Sequence, residues 1–258
     1  MKTILNRMAI QAVALIMVLA CVQVQAHILN ETSQFPDIKT SEARFDIVLL
    51  VGAGVVPETP QFEPDKKLAR TDLAAWAAQT AGLLKSADKP DIKALANAAL
   101  EQGLVSSLEG DATYADLNKV FLQGKGATGV AADAVPTRAQ AASYLVAGLL
   151  TPVAGSLLEK TAIVPGPTGV VTSVESKTNP DGGSSQFLAI GDTSLPVYTH
   201  AKVGNGSSSL AKWKGLTVRR SFIRKLGDIS VWLYLEAETV AGQTAEPAHD
   251  HSTHKHAE

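Results

Sequence analysis

Two stretches of the chain carry the residues best suited to chemistry. The last, "EPAHDHSTHKHAE", holds four of the six histidines, His249, His251, His254 and His256. Imidazoles at this density, with Asp250 among them, can gather Zn or Cu into a loose site. A flexible polar tail cannot hold the fixed geometry that metal catalysis needs, so no cofactor is expected beyond such loosely bound Zn or Cu. The other stretch is "FEPDKKLARTDLAAW", Phe62 to Trp76, in which a Pro-Asp turn leads to Arg70 at the mouth of an alanine-rich helix. Its guanidinium can join the N–H groups of the helix start in holding an anion. Alternatively it can pair with a nearby carboxylate such as Asp72 or Asp65. By spacing, Trp76 belongs to the core, with a sugar-stacking platform as the alternative.

The patterns of common catalytic machinery are missing: the chain has no Gly-x-Ser-x-Gly elbow, no phosphate loop and no His-Glu-x-x-His helix. A non-enzymatic protein is the expectation. Lys212, Lys214, Arg219, Arg220, Arg224 and Lys225 alternate with Trp213 and Phe222, a mixture that single-stranded nucleic acid can exploit. The formal net charge is only -2, however, which gives no global basic field. These residues are therefore read as a solvated strand face, with an anionic glycan or peptide as the alternative partner and no nucleic acid. His200 has no companion at ligand spacing and is assigned to a strand surface.

Export is expected from the start of the chain. Lys2 and Arg7 precede the apolar run Met8 to Ala20, and Val24-Gln25-Ala26 offers small residues for cleavage, so residues 1–26 read as a signal peptide. The only cysteine, Cys21, follows Val18-Leu19-Ala20, and a lipid anchor there is the alternative. No stretch reaches the roughly 20 apolar residues of a spanning helix. The expected location is the periplasm or the cell envelope, without a transmembrane helix. With 45% hydrophobic residues there is enough apolar material for a core, which must hold without disulfides.

An internal repeat organises the first half. "PDIK" occurs at Pro36 to Lys39 and again at Pro90 to Lys93, a spacing that points to repeated supersecondary units. Each copy leads into a helix that ends in glycine and aliphatics, Gly54-Val55-Val56 and Gly103-Leu104-Val105, the glycines suiting left-handed C-caps. Second helices are predicted over Arg70 to Leu84 and Thr113 to Leu122. A third start, with Pro136 before the capping residue Thr137, opens a helix that runs to Leu150.

The segment "FPDIKTSEARFDIVLLVGAGVVPETPQFEPDKKLARTDLAAW" resembles an S-layer homology repeat. The likeness spans residues 34–150 and is clear in the first unit, degenerate in the second and third. The family's Thr-Arg-Ala-Glu motif reads Ala69-Arg70-Thr71-Asp72, Thr113-Tyr114-Ala115-Asp116 and Thr137-Arg138-Ala139-Gln140 in turn. The resemblance implies a pseudo-threefold helical bundle whose motif arginines line grooves that bind anionic cell-wall polysaccharide. It makes Arg70, Asp72, Thr137 and Arg138 the candidate polymer-binding residues.

Beyond residue 150 the pattern changes. Residues 151–168 hold several prolines and read as a linker. Residues 169–240 show about five strands, two around Gly191-Asp192 and two around Leu226-Gly227-Asp228, and so predict a small barrel of the OB or SH3-like kind. Residues 241–258 read as a disordered tail. The expected fold class is multidomain α and β, a helical bundle followed by a barrel-like domain. The expected function is a noncatalytic envelope protein that binds an anionic wall polysaccharide or a peptidoglycan-linked polymer. The alternative is a periplasmic metal-binding accessory protein that works through its histidine tail.

Overall fold

A computed structural model of the chain describes residues 28–83, 91–126, 129–178 and 183–238. A two-residue strand, β1 (Leu29–Asn30), and a one-turn helix (Glu31–Gln34) precede five longer helices: α1 (Arg44–Ala53), α2 (Arg70–Ala81), α3 (Ile92–Glu101), α4 (Tyr114–Leu122) and α5 (Arg138–Leu150). Strands follow as β2 (Ile163–Pro165), β3 (Gly169–Thr178), β4 (Ser184–Ile190), β5 (Thr193–Gly204), β6 (Thr217–Leu226) and β7 (Ile229–Ala237).

Local chemistry sets the helix ends. Thr113 accepts the Asp116 N–H at 3.2 Å while the Asp116 carboxylate accepts the Thr113 N–H at 3.0 Å. Thr137 and Gln140 form the same reciprocal pair at the start of α5, so α4 and α5 both open with capping boxes. Gly54 closes α1 with φ 73°, the left-handed conformation predicted for it. The two PDIK copies differ in task. Asp91 caps α3 by accepting from Lys93 and Ala94 N–H, whereas the Asp37 carboxylate reaches across the chain to the N–H groups of Phe62 and Glu63.

The lead-ins to α2, α4 and α5 are bonded to one another in a ring. Arg70 N–H donates to Gly110 O (2.9 Å), Tyr114 N–H to Ala134 O (3.1 Å) and Arg138 N–H to Lys66 O (2.8 Å). Each donor is the first residue of its helix, and each acceptor stands at the same offset before the next helix of the ring. A second set repeats the pattern: Ala112 N–H to Leu68 O and Leu68 N–H to Pro136 O. The third member of that set would need an N–H on Pro136, which proline lacks.

Five strands close a barrel: β3, β4 and β5 pair antiparallel in turn, β5 pairs parallel with β7, β7 antiparallel with β6, and β6 with β3. This is the strand order of an OB barrel, and closure leaves no long open edge. β1 extends β5, and β2 extends β6.

The segment 151–168 is not the free linker that its prolines suggested. Leu157 and Leu158 are buried, Leu158–Thr161 forms a 3-10 turn, and β2 is hydrogen-bonded to β6. Pro165 is tolerated because it ends β2, an edge strand where a missing N–H breaks no ladder, and Pro152 and Pro167 lie outside any strand. The main helical core is continuous with the barrel, since one apolar cluster contains Ile47, Leu50 and Leu145 together with Phe222, Leu233 and Tyr234, while α2 and α3 also pack a smaller cluster of their own around Ala74, Ala78, Leu95 and Ala99. Helix α1 lies between α5 and the barrel, which explains why it is apolar almost all round.

Candidate functional site

The ring puts equivalent helix positions in register. First residues are Arg70, Tyr114 and Arg138; third residues are Asp72, Asp116 and Gln140; seventh residues are Trp76, Val120 and Tyr144. A first-residue arginine pairs with the third-residue carboxylate of the next helix in the ring, Arg70 with Asp116 and Arg138 with Asp72. Where the first residue is Tyr114, its counterpart is Gln140, so arginine and acid are lost together.

The two pairs differ in exposure. Arg70 and Asp116 have side chains 37% and 31% exposed. Arg70 reaches Glu109 O at 3.2 Å and Asp116 at 3.4 Å through both Nε and Nη2. These bonds are long and use three of the five guanidinium N–H groups. The pair edges a groove of about 280 Å³ lined by Leu104, Ser106, Lys119 and Val120. Burial would raise the Asp116 carboxyl, but the Thr113 N–H and Arg70 outweigh it and hold the group below the ordinary aspartate value.

Arg138 and Asp72 are only 8% and 15% exposed and pair at 2.8 Å. The Arg138 guanidinium lies 4.9 Å from the Phe62 ring centre and 5.8 Å from that of Trp76. Phe62 is itself fixed by the bonds from its N–H to Asp37. A smaller hollow of about 180 Å³ meets this pair between Thr59, Gln61 and Trp76.

The four expected polymer-binding residues therefore part company. Arg70 opens on a groove, though its partner is Asp116 and not Asp72 or Asp65. Arg138 and Asp72 pair with each other largely out of solvent at the edge of the smaller hollow, with the Phe62 and Trp76 rings against the guanidinium. Thr137 is occupied as the cap of α5. Trp76 is buried, as its spacing predicted.

A polar cluster that the sequence reading missed joins barrel to helices. A β-bulge between Val218 and Arg220 turns two successive arginines toward one carboxylate. The buried Glu236 accepts from Arg219 Nε (2.7 Å) and Nη2, from Arg220 Nε (2.6 Å) and from the Tyr234 hydroxyl (3.1 Å). Arg220 Nη1 also reaches Asp46 of α1 at 2.7 Å, and Ser143 of α5 donates to the same carboxylate. Burial first, and the Glu236 charge second, push the Tyr234 hydroxyl well above its usual range. Arg224 donates to Gly52 O and Ala53 O at the C-terminal end of α1, where the helix dipole favours a cation. Gly52 leaves room for the buried Lys202, whose Cγ would stand 2.9 Å from an added Cβ.

Three of the six basic residues read as a solvated face are thus bonded to buried acids or to helix carbonyls. The interleaved Trp213 and Phe222 are core, so the aromatic platform for nucleic-acid bases is absent there. The signal was a glutamate inside the apolar run "VWLYLEAE", which burial obliges to find cations. His200 is exposed beside Tyr198, as read. His249, His251, His254, His256 and Cys21 lie outside the described residues, among which no group of metal ligands and no helix long and apolar enough to cross a membrane occurs.

No protein-family model, curated protein or solved structure matches this chain.

Proposed function

We propose that this chain is a noncatalytic component of the cell envelope whose helical half, similar in plan to S-layer homology repeats, holds an anionic wall polysaccharide or peptidoglycan-linked polymer at Arg70. The observation that carries the reading is the hydrogen-bonded ring of helix starts, which sets Arg70 in an open groove with donors to spare. Ring contacts between equivalent positions are what three repeated units would make. The targeting pattern of residues 1–26 supports an exported location. The barrel is bonded to the helices through Glu236, Asp46 and Arg220, and in this reading it steadies the platform that carries the groove.

The test is capture of the full chain by purified peptidoglycan with its attached polymers. A hydrogen bond to a charged group contributes about 1.5–3 kcal/mol, so Arg70→Ala should weaken binding about 10- to 100-fold. Arg70→Lys should weaken it nearly as much, because an ammonium keeps the charge but loses the planar fork that matches a carboxylate. Unchanged affinity in Arg70→Ala refutes the carbohydrate reading.

A further inference from the structure

The three equivalent corners of the ring differ at the seventh helix position, and two of them carry a hollow, the larger beside Arg70 and the smaller beside Arg138. In α2 this residue is Trp76, in α5 it is Tyr144, and in α4 it is Val120. A helical side chain leans toward the N-terminal turn of its own helix, so the seventh residue lies over the third. It therefore covers or uncovers the place where the cross-ring partner arrives. Trp76 sits under the Arg138 guanidinium. Tyr144 meets Tyr114 edge to face at 5.1 Å. Val120 only lines the wall, and beside it the Arg70 groove holds its volume.

We infer that Val120 is the specificity-determining residue of the ring. Being small where its counterparts are aromatic, it leaves the groove at Arg70, about 280 Å³ against about 180 Å³ at Arg138, as the one position of the ring that takes ligand. The inference rests on the proposed polymer binding at Arg70 and adds which side chain keeps that groove open, how many ligands bind and what lies beside the anionic group of the ligand. Arg70 and Lys119 set against Asp116 give the groove one net positive charge, and Leu73, Leu104 and Val105 give it an apolar wall. The ligand that fits is a saccharide unit with one anionic group next to an apolar edge, taken once per chain.

The test uses the full chain, with wall-polymer fragments titrated by calorimetry against the unaltered protein, Val120→Trp and Ser106→Trp. Ser106 is an exposed loop residue on the facing wall, so an indole there obstructs the groove without touching a helix core. One fragment per chain is expected for the unaltered protein, and a loss of at least about tenfold in affinity for both variants, with melting temperatures within about 2 °C of wild type for Ser106→Trp. Undiminished binding in Ser106→Trp, or two fragments per unaltered chain, overturns the inference. If Val120→Trp fails to fold, the loop variant and the stoichiometry still decide. The two readings fail separately: normal binding in Arg70→Ala removes the role of the arginine, whereas normal binding in the tryptophan variants removes the single binding position.

Discussion

Replacing Arg138 with alanine would separate a structural arginine from a ligand-binding one. The change removes a guanidinium 2.8 Å from Asp72 and leaves that carboxylate, with only 15% of its side chain exposed, without its cation. Breaking a buried pair from one side costs about 3–5 kcal/mol, chiefly the uncompensated charge. The lost contacts to the Phe62 and Trp76 rings add to this. At about 2–4 °C per kcal/mol for a chain of this length, the melting temperature should fall by about 6–20 °C. Arg70→Ala, which breaks a pair about one-third exposed, should cost only about 0–1 kcal/mol. The double variant Arg138→Met with Asp72→Leu removes both charges and should recover most of the loss. Urea and thermal unfolding of the four proteins give the comparison. A loss below about 1 kcal/mol in Arg138→Ala is the figure for an exposed pair, and it would refute the structural role of Arg138.

Two further outcomes test the junction of helices and barrel. Glu31 is buried and accepts the Asn205 N–H, and burial raises its carboxyl above the ordinary 4.5. The folded chain therefore keeps this proton at pH values where the unfolded chain has lost it, and stability falls as pH rises from 4.5 through the raised value. Glu31→Gln should flatten that slope in urea midpoints taken from about pH 4 to about pH 7, and an unaltered slope would clear Glu31 of the effect. Limited proteolysis should spare residues 157–165, because Leu158 and Ile163 are buried and β2 is paired. A first cut inside that segment would restore the linker reading.

Much of the fold was legible because its signals are local. Thr113 and Thr137 mark helix starts through contacts three residues away, Gly54 marks an end through its own backbone angle, and alternation with Gly191-Asp192 and Leu226-Gly227 outlines four barrel strands. The helix-start motifs named Arg70 and Arg138 alike as ligand-facing and left structural pairing open for Arg70, so they did not separate the exposed arginine from the buried one. Partner choice was not legible, since it joins residues far apart in the chain. Arg70 ignores Asp72 two residues away and meets Asp116, while Asp72 is taken by Arg138. Only the ring of backbone bonds decides which helix start faces which, and those bonds exist only once all three lead-ins have met. Composition showed six basic residues near the end of the chain; a one-residue bulge in the folded sheet turned Arg219 and Arg220 together onto Glu236. A residue's type and spacing state what it can bond. Burial and distance, which exist only in the folded chain, decide whether Arg138 is closed in by aromatic rings and Arg70 is left open to solvent.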